Sequence, residues 1–115
     1  MSVKILHNPR CSKSRQTLAL LQEQGVEPVV VEYLKTPPSR EELQDILVKL
    51  SMSPRDLMRK GEAEYKDNNL SDENLTNAEL IDAMLAHPKL IERPIVISQG
   101  QVRIGRPPES VLEIV

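Results

Sequence analysis

The opening of the chain constrains its fold more than any other stretch. Val3 to His7 is a short run carrying Val3, Ile5 and Leu6, and Asn8-Pro9 breaks it. From about Ser12 to Gln24, Leu18, Leu20 and Leu21 give a helical pattern, and Gly25 stands where a helix-ending glycine belongs. Val29 to Tyr33 is rich in β-branched residues and reads as a second strand. A strand, a helix and a strand in that order imply a right-handed β-α-β unit with two parallel strands.

The middle of the chain reads as helices. Thr36-Pro37-Pro38 is a rigid connector, and Ser39-Arg40-Glu41-Glu42 has the pattern of a capping box. Behind it, Leu43, Ile46, Leu47 and Leu50 recur at helical spacing and mark a core face. Ser53-Pro54-Arg55-Asp56 starts another helix, with proline in the tolerated first position. Residues 61–71 are polar and read as irregular. Thr76-Asn77-Ala78-Glu79 leads into Leu80, Ile81, Met84 and Leu85, and His87-Pro88 ends that helix.

In the last third the period changes. Ile95-Val96-Ile97 and Val102 to Ile104 read as strands joined by a Gln99-Gly100 turn, and Pro107-Pro108-Glu109 opens a short terminal helix. The expected fold is α/β, a mixed four-stranded sheet flanked by helices. A helical insertion, about 39–88, falls between the second and third strands, and residues 1–115 form one domain.

Composition narrows the function. There is no Phe or Trp and only two Tyr, so the core is aliphatic and platforms for stacking bases are scarce. Fifteen Lys and Arg against seventeen Asp and Glu leave a net charge of −2, and the cations form no long run. Nucleic acid is therefore not the expected partner. No apolar stretch would span a bilayer, and no membrane partner is expected. A single cysteine cannot form an internal disulfide, which points to a free thiol and a cytoplasmic setting. His87 has no second histidine or cysteine at ligand spacing, so no metal site is expected; no bound cofactor is expected either.

That cysteine, Cys11, lies in His7-Asn8-Pro9-Arg10-Cys11-Ser12-Lys13-Ser14-Arg15, at the junction of the first strand and helix. Helix N-terminal amides and nearby cations both favour a thiolate, and the same features attract an oxyanion. The position suggests a nucleophile and the charge of what it attacks. Arg10, Lys13 and Arg15 form a cationic helix start that would steer anions.

The motifs form an ordered set. His7-Asn8-Pro9-x-Cys11 with Ser14-Arg15, then Tyr33-Leu34 before Pro37-Pro38-Ser39-Arg40, then Leu57-Met58-Arg59-Lys60, His87-Pro88, Arg93-Pro94-Ile95-Val96 and Gly105-Arg106-Pro107 closely resemble the glutaredoxin-dependent arsenate reductase family, over nearly the whole chain. The resemblance implies a thioredoxin-like fold and a Cys11 nucleophile. It implies that Arg59, Arg93 and Arg106 bind the oxyanion, with His7, Ser14 and Arg15 in support. It also places Pro94 where thioredoxin-like proteins carry a cis proline facing the cysteine. Arg10, Ser12 and Lys13 depart from the pattern, standing where other members have small or neutral residues.

The implied reaction is reduction of arsenate to arsenite; the short apolar patches of the sequence give no clear interface, so a monomer is expected. Arginine suits the oxyanion because its planar fork holds two oxygens and keeps its charge. With one thiol in the chain, an external thiol must resolve the arseno-thiol intermediate. The resemblance makes that co-substrate glutathione and makes glutaredoxin the partner that recycles it. Two other readings stay open. A glutathione-dependent reductase of mixed disulfides would use Cys11 in the same way without needing three arginines. Some non-enzymatic relatives bind RNA polymerase and carry a Cys-x-x-Cys switch, and here position 14 is Ser.

Overall fold

The computed structural model describes residues 2–115, and these fall into two units. The first comprises the chain up to Thr36 together with Arg93–Val115, and the second is Pro37–Glu92. The first unit carries the sheet: β1 (Val3–His7), β2 (Val29–Glu32), β3 (Ile95–Ser98) and β4 (Gln101–Ile104), in the order β2-β1-β3-β4. β1 and β2 run parallel, with His7 opposite Glu32. β3 is antiparallel to both β1 and β4. The sheet is mixed and four-stranded, as the sequence predicts.

Burial follows sheet position. The central strands β1 and β3 have neighbours on both sides, and Ile5, Leu6, Ile95 and Val96 are fully buried. β3 accordingly opens with the continuous apolar run Ile95-Val96-Ile97, whereas β1 interrupts its apolar residues with Lys4. β2 lies at an edge, and its Val29 and Val30 remain exposed. Between β1 and β2 runs α1 (Ser12–Glu23). Its end is a Schellman motif: Gly25 at φ +78° donates to the Gln22 carbonyl, and Val26 donates to that of Leu21. The β3–β4 turn places Gln99 and Gly100 both at positive φ, the conformation a two-residue hairpin with the sheet's twist requires.

The core of this unit is aliphatic. Ile5, Leu21, Val96, Val111 and Ile114 form one buried cluster, with Val3, Leu18 and Val26 packed on it. Val111 and Ile114 come from the terminal segment, which is a 3-10 helix over Pro108–Ile114. The i to i+3 bond from the Ser110 amide to the Pro107 carbonyl opens this tighter helix, which at seven residues is longer than most 3-10 segments.

The second unit holds α2 (Arg40–Leu50), α3 (Pro54–Leu57), α4 (Ala63–Asp67) and α5 (Asn77–Ala86), then a 3-10 turn over Pro88–Leu90. Ser39, Ser53 and Thr76 each accept the backbone amide three residues on, so all three capping signals are used. α2 buries Leu43, Ile46 and Leu47, α5 buries Leu80, Ile81 and Met84, and the two helices pack together. The segment 61–71 is not irregular throughout, since α4 lies within it. None of its five residues is buried, so it shows no apolar periodicity.

Leu21 is fully buried in the cluster of the first unit, whereas Val48 on α2 is 76% exposed. Leu21→Ala should cost about 2–5 kcal/mol, and Val48→Ala should stay within about 0.5 kcal/mol of wild type. Urea unfolding at constant m-value measures both. Equal effects would contradict the assigned core.

Candidate active site

Cys11 is the N-cap residue of α1, with extended backbone angles (φ −93°, ψ 124°). A tight turn brings it there: the Cys11 amide donates to the Asn8 carbonyl at 3.0 Å, and the Arg10 amide donates to Asn8 Oδ1 at 3.0 Å. The sulfur is almost buried, with the residue 8% exposed. Burial alone disfavours a charged sulfur and is the largest single influence on it. The Ser14 amide, the Arg93 guanidinium and the Lys13 amide act the other way and together outweigh it. The net result is a thiol held below its ordinary pKa.

His7 and Ser14 fix the loop from behind. His7 Nδ1 and Ser14 Oγ lie 2.6 Å apart, and the Asn8 amide donates to the same hydroxyl at 3.0 Å. Both side chains are buried. Burial pushes the His7 pKa down, Glu32 opposes this, and Arg15 adds to it. The ring is therefore neutral near pH 7. Arg15 braces the loop from outside, donating from Nη1 to the Pro9 carbonyl at 3.0 Å.

The arginines of the β3–β4 half converge on the sulfur. Arg106 Nη2 points at Cys11 Sγ from 3.5 Å, and its Nε donates to the Arg93 carbonyl at 2.8 Å. Arg93 hydrogen-bonds to the sulfur as well. The Arg93–Pro94 peptide is cis, in keeping with the family resemblance. Arg106–Pro107 is a second cis peptide, which the sequence reading did not identify. The Gly105 amide donates to the Pro94 carbonyl at 2.9 Å, so the two Arg-Pro segments are laced together beside the Cys11 sulfur.

Arg59 belongs to the other unit, where two carboxylates hold it. Its Nε donates to Glu62 at 3.3 Å and its Nη1 to Glu92 at 2.9 Å. Burial tends to lower its pKa, and the two carboxylates more than offset that, so the net shift is upward. Among the described residues, no group of three His, Cys, Asp or Glu is placed to hold a metal ion.

Sequence reasoning missed Gly105 and Thr17. Gly105 has no positive φ that would demand glycine. A Cβ there would lie 2.5 Å from Thr17 Oγ1 and 2.7 Å from Pro94 Cγ. Neither neighbour is the far end of a flexible chain. Thr17 is fully buried and donates to the Lys13 carbonyl at 2.8 Å, with the Gly105 carbonyl at 3.5 Å. Gly105 thus lets the strand leading to Arg106 lie directly against α1 and Pro94. A glycine after an apolar strand and before Arg-Pro was the available signal, but only tertiary contact gives it meaning.

A four-stranded mixed sheet, a cysteine at the start of the first helix and a cis proline beside it define a thioredoxin-like protein. The chain belongs to the ArsC family, whose model matches residues 6–114. It is 60% identical to the Escherichia coli K12 protein YfgD, described as uncharacterized, over 98% of this chain and 96% of that one. It is 51% identical to a Haemophilus influenzae protein named arsenate reductase, over 99% of each chain. The solved structure of the arsenate reductase from Vibrio cholerae superimposes with a TM-score of 0.96 at 56% identity, covering 100% of this chain and 98% of that one. Among the described residues, no helix is long and apolar enough to cross a membrane.

Two tests address the geometry. The rate of Cys11 alkylation should rise with a midpoint below about 8.5, the value of an unperturbed thiol. Arg93→Gln should move that midpoint up, because it removes a hydrogen bond and a positive charge from the thiolate. An unmoved midpoint would rule out Arg93 as the stabilising group. Gly105→Ala should cost about 1–3 kcal/mol by overpacking and should also raise the midpoint by displacing Arg106. Adding Thr17→Ala removes two of the three close contacts and should restore part of both.

Proposed function

We propose that this chain is an arsenate reductase in which the Cys11 thiolate attacks arsenic while arginines hold the oxygens. The observation that carries the reading is a sulfur held below its ordinary pKa with Arg106 Nη2 at 3.5 Å and Arg93 bonded to it, in a member of the ArsC family. The names of its relatives support the substrate. Arsenate is a tetrahedral oxyanion, and a planar guanidinium matches two of its oxygens at once. Arg59, which Glu62 and Glu92 hold within its own unit, is proposed as the third arginine on the strength of the family resemblance.

The proposed cycle balances over two thiols. Cys11 sulfur bonds to arsenic and one oxygen leaves as water. Glutathione then attacks the adduct. Arsenic keeps the electron pair of its bond to sulfur, falls from the +5 to the +3 state, and leaves as arsenite. The two sulfurs end as a mixed disulfide, which glutaredoxin reduces. The external thiol is required because Cys11 is the chain's only cysteine. A reducing compartment such as the cytoplasm suits this cycle.

The deciding experiment measures arsenite formed from arsenate with glutathione, glutaredoxin and their reducing system, with Cys11→Ser in parallel. Turnover should vanish in Cys11→Ser and without glutaredoxin. Arg93→Gln and Arg106→Gln should each lower kcat/KM for arsenate by roughly 10- to 150-fold, the worth of one hydrogen bond to a charged group. Full activity in Cys11→Ser would end this reading.

A further inference from the structure

Beside the Cys11 loop lies a groove of about 410 Å³, within the size range of small-ligand sites. It opens at the carboxyl ends of the parallel strands β1 and β2, where His7 lies opposite Glu32 and both residues line it. Asn8, Pro9 and Arg10 of the loop before the nucleophile form one side, and Leu34 and Lys35 of the turn after β2 form the other. The groove thus has an apolar surface from Pro9 and Leu34 and carries two cations and one carboxylate.

We propose that this groove binds the co-substrate thiol, a small peptide with two carboxylates and one ammonium group, the charge pattern of glutathione. The inference rests on the reaction proposed above. Arg10 and Lys35 would take the carboxylates and Glu32 the ammonium, so each charge on the ligand has one opposite charge in the groove. Lys35 Nζ and Glu32 Oε1 are 3.6 Å apart, with side chains 79% and 45% exposed. An ion pair that open to solvent is weak and exchanges partners readily. The Arg10 backbone amide is tied to Asn8 Oδ1, which fixes where its exposed side chain leaves the loop at the groove's rim. Groove and nucleophile share one loop, since Cys11 directly follows Pro9 and Arg10. Arg10, one of the residues that departs from the family pattern, thereby acquires a role that oxyanion binding does not give it.

The test has two readouts. S-methylglutathione, whose sulfur cannot react, is titrated into isotope-labelled wild-type protein. Amide shifts should cluster at Asn8, Arg10, Glu32, Leu34 and Lys35, and Arg10→Gln/Lys35→Gln should abolish them. In the arsenate assay, Arg10→Gln and Lys35→Gln should each raise KM for glutathione about three- to fivefold, the scale of an exposed charge pair, and Lys35→Gln should leave KM for arsenate unchanged. Shifts that cluster elsewhere, or none at millimolar ligand, overturn the groove. So does a double variant whose KM for glutathione is unchanged. Groove shifts in a wild-type protein that does not reduce arsenate would support the binding site and overturn the reaction instead.

Discussion

The close approach of Gly105 to Thr17 and Pro94 is the constraint on which the site depends. It is a contact of backbone against side chain with no room for a single methyl group. Through it the end of β4 rests on α1 and on the segment before β3, and the Gly105 amide bonds the Pro94 carbonyl. Arg106 follows at once and ties back to the Arg93 carbonyl. Two arginines, one before β3 and one after β4, are therefore aimed from a rigid base. Protein interiors transmit small displacements because they are close-packed. A shift of a few tenths of an ångström at Gly105 would be felt at the sulfur.

The second constraint is electrostatic. A nearly buried thiol resists ionisation, and here the opposing groups are fixed before any substrate arrives: two amides of the first turn of α1 and the Arg93 guanidinium. Such preorganised dipoles and charges need no rearrangement at the moment of reaction. His7 contributes differently. It is buried and neutral, so it adds no charge beside the sulfur. Its bond to Ser14, together with the Asn8 amide on the same hydroxyl, holds the loop whose turn places Cys11 at the helix start.

Much of this was legible in the sequence, because local rules wrote it. The Asn8-Pro9 break, the Gly25 stop, three serine or threonine caps and the Gln99-Gly100 turn each act within a few residues. The strands and most of the helices followed from them. Cys11 could be placed at a helix start on the same grounds. The packing around it could not. Thr17 and Gly105 are 88 residues apart, and Arg106 and Cys11 are 95 apart. No periodicity joins such pairs. Resemblance to a family supplied the arginines, whereas the reason for glycine at 105 came only from the folded chain. The short α4 escaped for the opposite reason, since it buries nothing and so leaves no apolar pattern.

In the cycle proposed above, a chain with a single sulfur faces a requirement that a two-cysteine enzyme avoids: the sulfur must be shielded enough for fixed charges to act strongly on it, yet reachable by two successive partners. The Cys11 loop reconciles the two. Its inner side is closed by Ser14 and the arginines of the β3–β4 half. Its outer side, at Pro9 and Arg10, faces the groove shared with the turn after β2. Arg15 holds that loop through the neutral Pro9 carbonyl rather than a carboxylate, so its positive charge stays available beside the site. In the other unit, Arg59, Arg40 and Lys49 are each paired with carboxylates. Lys35 and Arg103 in the first unit are paired as well, with Glu32 and Glu113, so a cation held on a carbonyl beside the Cys11 loop, as Arg15 is, keeps more of its field for anions than its paired neighbours do.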